Sequence, residues 1–145
     1  MTLIDKVQAL ATDSGRLPLV YGTAWQINSE LDRVARQGAF PLCVMFQPSV
    51  GSFDIDTYGV NVRETITVNV GYACPIDFDY DPQAIKDTSE TLKAEAVALI
   101  HRINVSDVFE EVTNVNYELL PDSNDANLLI CLLTLQIKEI GGRCE

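Results

Sequence analysis

The chain has 145 residues, 47% of them hydrophobic and 21% charged, the size and balance of one ordinary folded domain and not of a disordered polymer. Its formal net charge of −11 argues against DNA, RNA or an anionic membrane as the primary ligand, because affinity for those comes largely from cations that neutralise phosphates. The ten Lys and Arg are scattered from Lys6 to Arg143 without forming a run, and no stretch reaches the roughly 18 apolar residues of a membrane span.

Leu3, Ile4, Val7, Leu10 and Ala11 share one helical face. They predict a first helix over 2–12 with Thr2 as N-cap, Asp5 as its capping-box partner and Gly15 as its end. Asp5 and Lys6 interrupt the apolar start, so it does not read as a signal peptide. Next, "LPLVYGTAWQI" (17–27) is rich in β-branched and aromatic residues and predicts a first strand, with Pro18 fitting only near its start or on an edge. Tyr21 and Trp25 on it fit a protein interface as well as a core. "NSELDRVARQG" (28–38) reads as a short helix or an ordered loop, with Asp32 and Arg36 as an i,i+4 pair.

"FPLCVMFQP" (40–48) is apolar on both faces and predicts a central strand. "SVGSFDIDTYGVN" (49–61) is expected to be a long loop. Its Val50, Phe53, Ile55 and Tyr58 form either a contact patch or a satellite of the core. "VRETITVNVGYA" (62–73) alternates clearly, with Ile66, Val68, Val70 and Tyr72 on one side. A long helix is predicted over 81–104, burying Ile85, Leu92, Ala96, Leu99, Ile100 and Ile103. Two strands close the chain, "VTNVNYELLPD" (112–122) and "NLLICLLTLQIKEI" (127–140). On the last, Leu129, Cys131, Leu133, Leu135 and Ile137 share a face, while Leu128, Ile130 and Leu132 make half of the opposite face apolar too. That half needs its own cover, from a helix or a neighbouring subunit.

Each candidate for chemistry competes with a plain structural role. Asp77, Asp79 and Asp81 have calcium-loop spacing, but Pro82 stands where such a loop needs glycine and Thr88 where it needs a bidentate glutamate. Asp81 as N-cap with Pro82 at the first helical position explains them better. His101 is the only histidine, and Cys43, Cys74, Cys131 and Cys144 lack metal spacing, so no metal site is expected. Without a secretion signal the cysteines are expected to be reduced in a cytosolic protein, Cys43 and Cys131 as core residues. Phosphate-cradle and nucleophile-elbow motifs do not occur. Asp54 and Asp56 could pair as acid and base, though loop carboxylates are usually solvated. No catalytic residue and no cofactor is predicted.

These elements predict an α+β fold, a single, largely antiparallel sheet of 4–5 strands, with room for a parallel pairing, and two helices packed on one face. The whole chain, 1–145, is read as one domain. The order of elements resembles the tail terminator (tail completion) proteins of long-tailed bacteriophages. It does so through an N-terminal helix followed by "LVYGTAWQIN", the "FPLCVMF" strand, a long loop, and "ETITVNVGYA". The helix "DPQAIKDTSETLKAEAVALIHRI" and the two closing strands complete the likeness. The resemblance implies a non-enzymatic virion-assembly protein of a phage or prophage. Its subunits would form a ring, commonly hexameric, that caps the tail tube and meets the head connector. Such a protein resides in the host cytoplasm during assembly and then in the tail neck, binding neither membrane nor specific nucleic-acid sequences. Interface residues consistent with it are Tyr21, Trp25, Val50, Phe53, Ile55, Tyr58, Leu128, Ile130 and Leu132. The competing readings are another neck or adaptor protein, a monomeric protein-binding module, and a small-substrate enzyme with a site built from Asp54, Asp56, Asp77 and Asp79.

Overall fold

The computed structural model describes residues 2–35, 41–55, 58–59, 62–75, 82–120, 128–138 and 140. In chain order these form α1 (Leu3–Ala11), β1 (Leu19–Gly22), α2 (Ala24–Ala35), β2 (Leu42–Phe46), β3 (Gly51–Ile55) and β4 (Val62–Pro75), then α3 (Pro82–Val105), β5 (Asn116–Leu120) and β6 (Leu128–Lys138). The strands join in one mixed sheet of order β1-β2-β4-β6-β5, with β3 pairing β4 off that path. Among the described residues only β1–β2 is parallel, and every other pair is antiparallel. The α+β expectation therefore holds, with six strands and three helices among the described residues.

Alternation along β4 and β6 divides the core. Val68, Val70 and Tyr72 of β4 and Leu129, Cys131, Leu133, Leu135 and Ile137 of β6 face α1 and α3. They bury Val7 and Ala11 of α1 and Leu92, Ala96, Leu99 and Ile103 of α3. The capping box expected at the start of α1 is present: Asp5 N–H donates to Thr2 Oγ1 at 3.2 Å and Thr2 N–H to Asp5 Oδ2 at 3.1 Å. The helix stops at Ala11, ahead of Gly15, and Asp13, Ser14 and Gly15 all follow with positive φ. Its end is held from below. The Tyr72 hydroxyl donates to the Ala11 carbonyl at 2.8 Å and Arg102 Nε to the Leu10 carbonyl at 2.8 Å, so orphan carbonyls gain donors and the negative end of the dipole meets a cation.

The opposite sheet face differs from expectation. The strand predicted over 17–27 ends at Gly22, and Trp25 lies in the first turn of α2. The reason is local: "TAWQ" is a capping box, Thr23 N–H donating to Gln26 Oε1 at 2.9 Å and Gln26 N–H to Thr23 Oγ1 at 3.3 Å. Gly22 has φ +152°, and a Cβ there would meet Gln26 Oε1 at 2.6 Å, so the turn into α2 requires glycine. From α2, Ile27 and Leu31 pack on Val20, Leu42, Val44, Ala73, Leu128 and Ile130. The second cover is thus a third helix, on the face opposite α1 and α3. Leu128 and Ile130 are 0% and 7% exposed, and Leu132 packs against the same cluster. Assigning Leu128 and Ile130 to a subunit contact is corrected: their own chain covers them, and it covers Leu132 in part.

The other correction concerns 49–61, expected as a long loop. Residues 51–55 are strand β3, paired with 62–66 of β4. Asp56, Asp77, Asp79, Asp81 and Cys144 lie outside the described residues.

Candidate interaction surface

β2 and β3 are two stretches of one path along β4. Phe46 lies opposite Asn69 and Gly51 opposite Ile66, so the four residues 47–50 span only Thr67 and Val68. Such an excess makes a bulge, which bends the strand, and Pro48 within it offers no N–H to the ladder. Past the bend, β3 and the first residues of β4 form a two-stranded arm. Every β3 residue is exposed, as are Val62 and Glu64.

Register decides how the arm's side chains sort. Phe53 lies opposite Glu64 and Ile55 opposite Val62, on the same side of β4 as Ile66. Phe53, Ile55 and Val62 are 67%, 65% and 56% exposed. They form an exposed, largely apolar patch that also carries the exposed Glu64 beside Phe53, and Tyr58, 87% exposed, stands in the connection beyond them. On the opposite side of the arm, Asp54 pairs with Lys138 at the end of β6. Arg63 Nη1 holds Glu110 Oε1 at 3.0 Å. The Lys138 ammonium, by hydrogen bond and charge, keeps the Asp54 carboxyl below its ordinary range. It is thus an ionised brace rather than an acid poised to donate a proton.

Of the sequence-predicted interface residues, the structure brings together Phe53 and Ile55 and adds Val62, which sequence reading had treated only as the start of a strand. Val50 is exposed at the end of the bend, its carbonyl accepting from Thr67 N–H at 3.0 Å. Tyr21 is part-exposed on β1, beside an open groove shared with Leu3, Ile4, Pro48 and Ile66. Trp25 is 78% exposed at the start of α2. Tyr21 and Trp25 do not share a strand, as had been expected.

The remaining candidate chemistry is dispersed. Burial pushes the Cys43 thiol up to about 12, far from a reactive thiolate, and raises Cys74 and Cys131 too. His101 is exposed on α3. Burial also pushes the Tyr72 hydroxyl up, so it stays a protonated donor to α1. Among the described residues no group of three or more His, Cys, Asp or Glu could hold a metal ion, and no helix is long and apolar enough to cross a membrane. No protein-family model matches the chain, and no curated protein matches it.

Proposed function

We propose that this chain is a structural subunit of the tail-terminator kind, assembling into a ring that caps a phage tail tube and offers a docking surface to the head connector. One observation carries the reading: apolar and aromatic side chains stand in solvent at two separate places, Trp25 at the start of α2 and Phe53, Ile55 and Val62 on the arm. A closed ring needs two different patches on each subunit, joined head to tail, and aromatic residues are favoured at such contacts. The order of elements read from the sequence, which resembles that of tail terminators across nearly the whole chain, supports the tail-terminator form of this reading over other ring proteins. The charge of −11 suits a conduit for DNA, because a negative lining repels phosphates and a passing duplex is not retained.

Native mass measurement and negative-stain microscopy over rising protein concentration test the proposal. Closed rings of a fixed subunit number are expected. A population limited to one and two copies under all conditions would overturn it.

A further inference from the structure

Among the described residues, no strand pairs the outer edge of the arm. In an antiparallel ladder, residues alternate between exchanging both backbone bonds with the partner and directing N–H and C=O outward. The bond from Thr67 N–H to the Val50 carbonyl, at 3.0 Å, makes 50 and 67 an exchanging pair. With the register Gly51–Ile66 through Ile55–Val62, Ser52 and Asp54 then bond to β4. Gly51, Phe53 and Ile55 direct their backbone groups away from the sheet. Such an edge templates another strand.

We infer that the occupant of this edge is β3 of a second copy, antiparallel and centred on Phe53, which makes the free subunit a two-fold pair in solution. Pairing "GSFDI" with itself about its middle residue sets Phe53 against Phe53. It sets Gly51 against Ile55 and Ser52 against Asp54. Every outward backbone group of the strand meets a complementary one. No charge lies opposite a like charge, and the lone carboxylate, already neutralised by Lys138, faces a hydroxyl. The dyad stands perpendicular to the sheet, so the Phe53, Ile55 and Val62 side chains of both copies gather on one face, with each Glu64 on the far side of its own Phe53, away from the other copy. There an aromatic pair opposed across strands is favourable, and Ile55 meets a glycine that presents no side chain.

Charge favours this edge over the others. In a chain of net charge −11, residues 49–64 hold two aspartates, one glutamate and one arginine, and the glutamate lies on β4 rather than on the pairing strand. The same operation on the other open edge, β5, would set Glu118 against Glu118, a like-charge opposition. The β1 edge is four residues long and is entered through Pro18. A two-fold contact closes at two copies and cannot join neighbours in a ring whose faces differ. The inference therefore goes beyond the ring reading, and ring assembly has to replace the pair.

Cysteine cross-linking in a Cys144→Ser background tests it. In the pair, position 53 faces itself at about 5.5 Å between Cα atoms, within disulfide reach. Position 50 lies about 20 Å from its copy. Under mild oxidation Phe53→Cys is expected to form a covalent dimer and Val50→Cys to remain monomeric. Ser52→Cys and Asp54→Cys, which leave Phe53 in place, are expected to link when mixed and not alone. Equal linking at 53 and 50, or no linking at 53 and in the mixture, would overturn the pairing. Rings without a link at 53 or in the mixture would remove the pair and keep the ring reading. A link without rings at any concentration would keep the pair and remove the ring.

Discussion

The two ends of β4 belong to one unbroken strand and live in different environments. From Val68 to Ala73, β4 is paired to β6, from Asn69 onward to β2 as well, and is covered by α1 and α3 on one face, while α2 reaches Ala73 on the other. Val68, Val70 and Tyr72 are fully buried there. At Val62 the strand still alternates, yet among the described residues only β3 pairs with it and its side chain is 56% exposed. Burial of apolar area stabilises the first region by roughly 25 cal/mol per Å². The second recovers little of that from its own chain, so its apolar residues gain most from contact with another molecule.

The sharpest way to break this comparison is to truncate one large side chain in each region. Leu99→Ala, beneath the covered end, is expected to cost about 2–5 kcal/mol in denaturant unfolding. Phe53→Ala should stay within about 0.5 kcal/mol for the single chain while weakening self-association. Comparable losses of stability would mean that the arm is core after all.

A smaller effect sharpens the account of the second face. A Cβ at Gly71 would meet Ile130 Cγ2 at 2.8 Å and Leu132 Cδ1 at 3.3 Å. Gly71→Ala is therefore expected to cost about 1–3 kcal/mol as overpacking. Adding Ile130→Ala, which removes the clashing branch, should recover part of that loss. Independent, additive effects would contradict the packing described for this face.

The smallest effect concerns the brace of the arm. Asp54 has its carboxyl held below the ordinary 3.8 by Lys138. A depressed carboxyl stabilises the fold above its ordinary value and loses that contribution as pH falls through the folded value. Lys138→Met is expected to move the Asp54 NMR titration midpoint up toward 3.8 and to remove this share of the stability lost on acidification. An unchanged midpoint would show that the pair does not form in solution.

What could be read from the sequence follows the same division. Strict alternation in "ETITVNVGYA" and "NLLICLLTLQI" sorted the core side of β4 and β6, and the long helix begins at Pro82, where it was expected. Two elements were misread because local chemistry competes with composition. Trp25 and Ile27 look like strand residues, but the Thr23–Gln26 capping box starts a helix through them. Its T-x-x-Q spacing was the signal available. β3 was hidden because Gly51, Ser52 and Asp54 are poor strand formers, and only pairing with β4 makes them a strand. The exposed patch was half legible. Phe53 and Ile55 stood out as apolar residues among glycines and aspartates, whereas Val62 joins them through register alone, which no local pattern reports. Leu128, Ile130 and Leu132 were rightly seen to need a cover, but only tertiary structure shows that α2 provides it.

The central claim is that copies meet along the outer edge of β3, and amide hydrogen exchange reads that edge directly. The Phe53 and Ile55 N–H groups face outward, whereas those of Ser52 and Asp54 are bonded to β4 in every copy. Raising the protein concentration should slow exchange at Phe53 and Ile55 and leave Ser52 and Asp54 unchanged. Exchange at Phe53 that is fast and the same at every concentration would contradict the account.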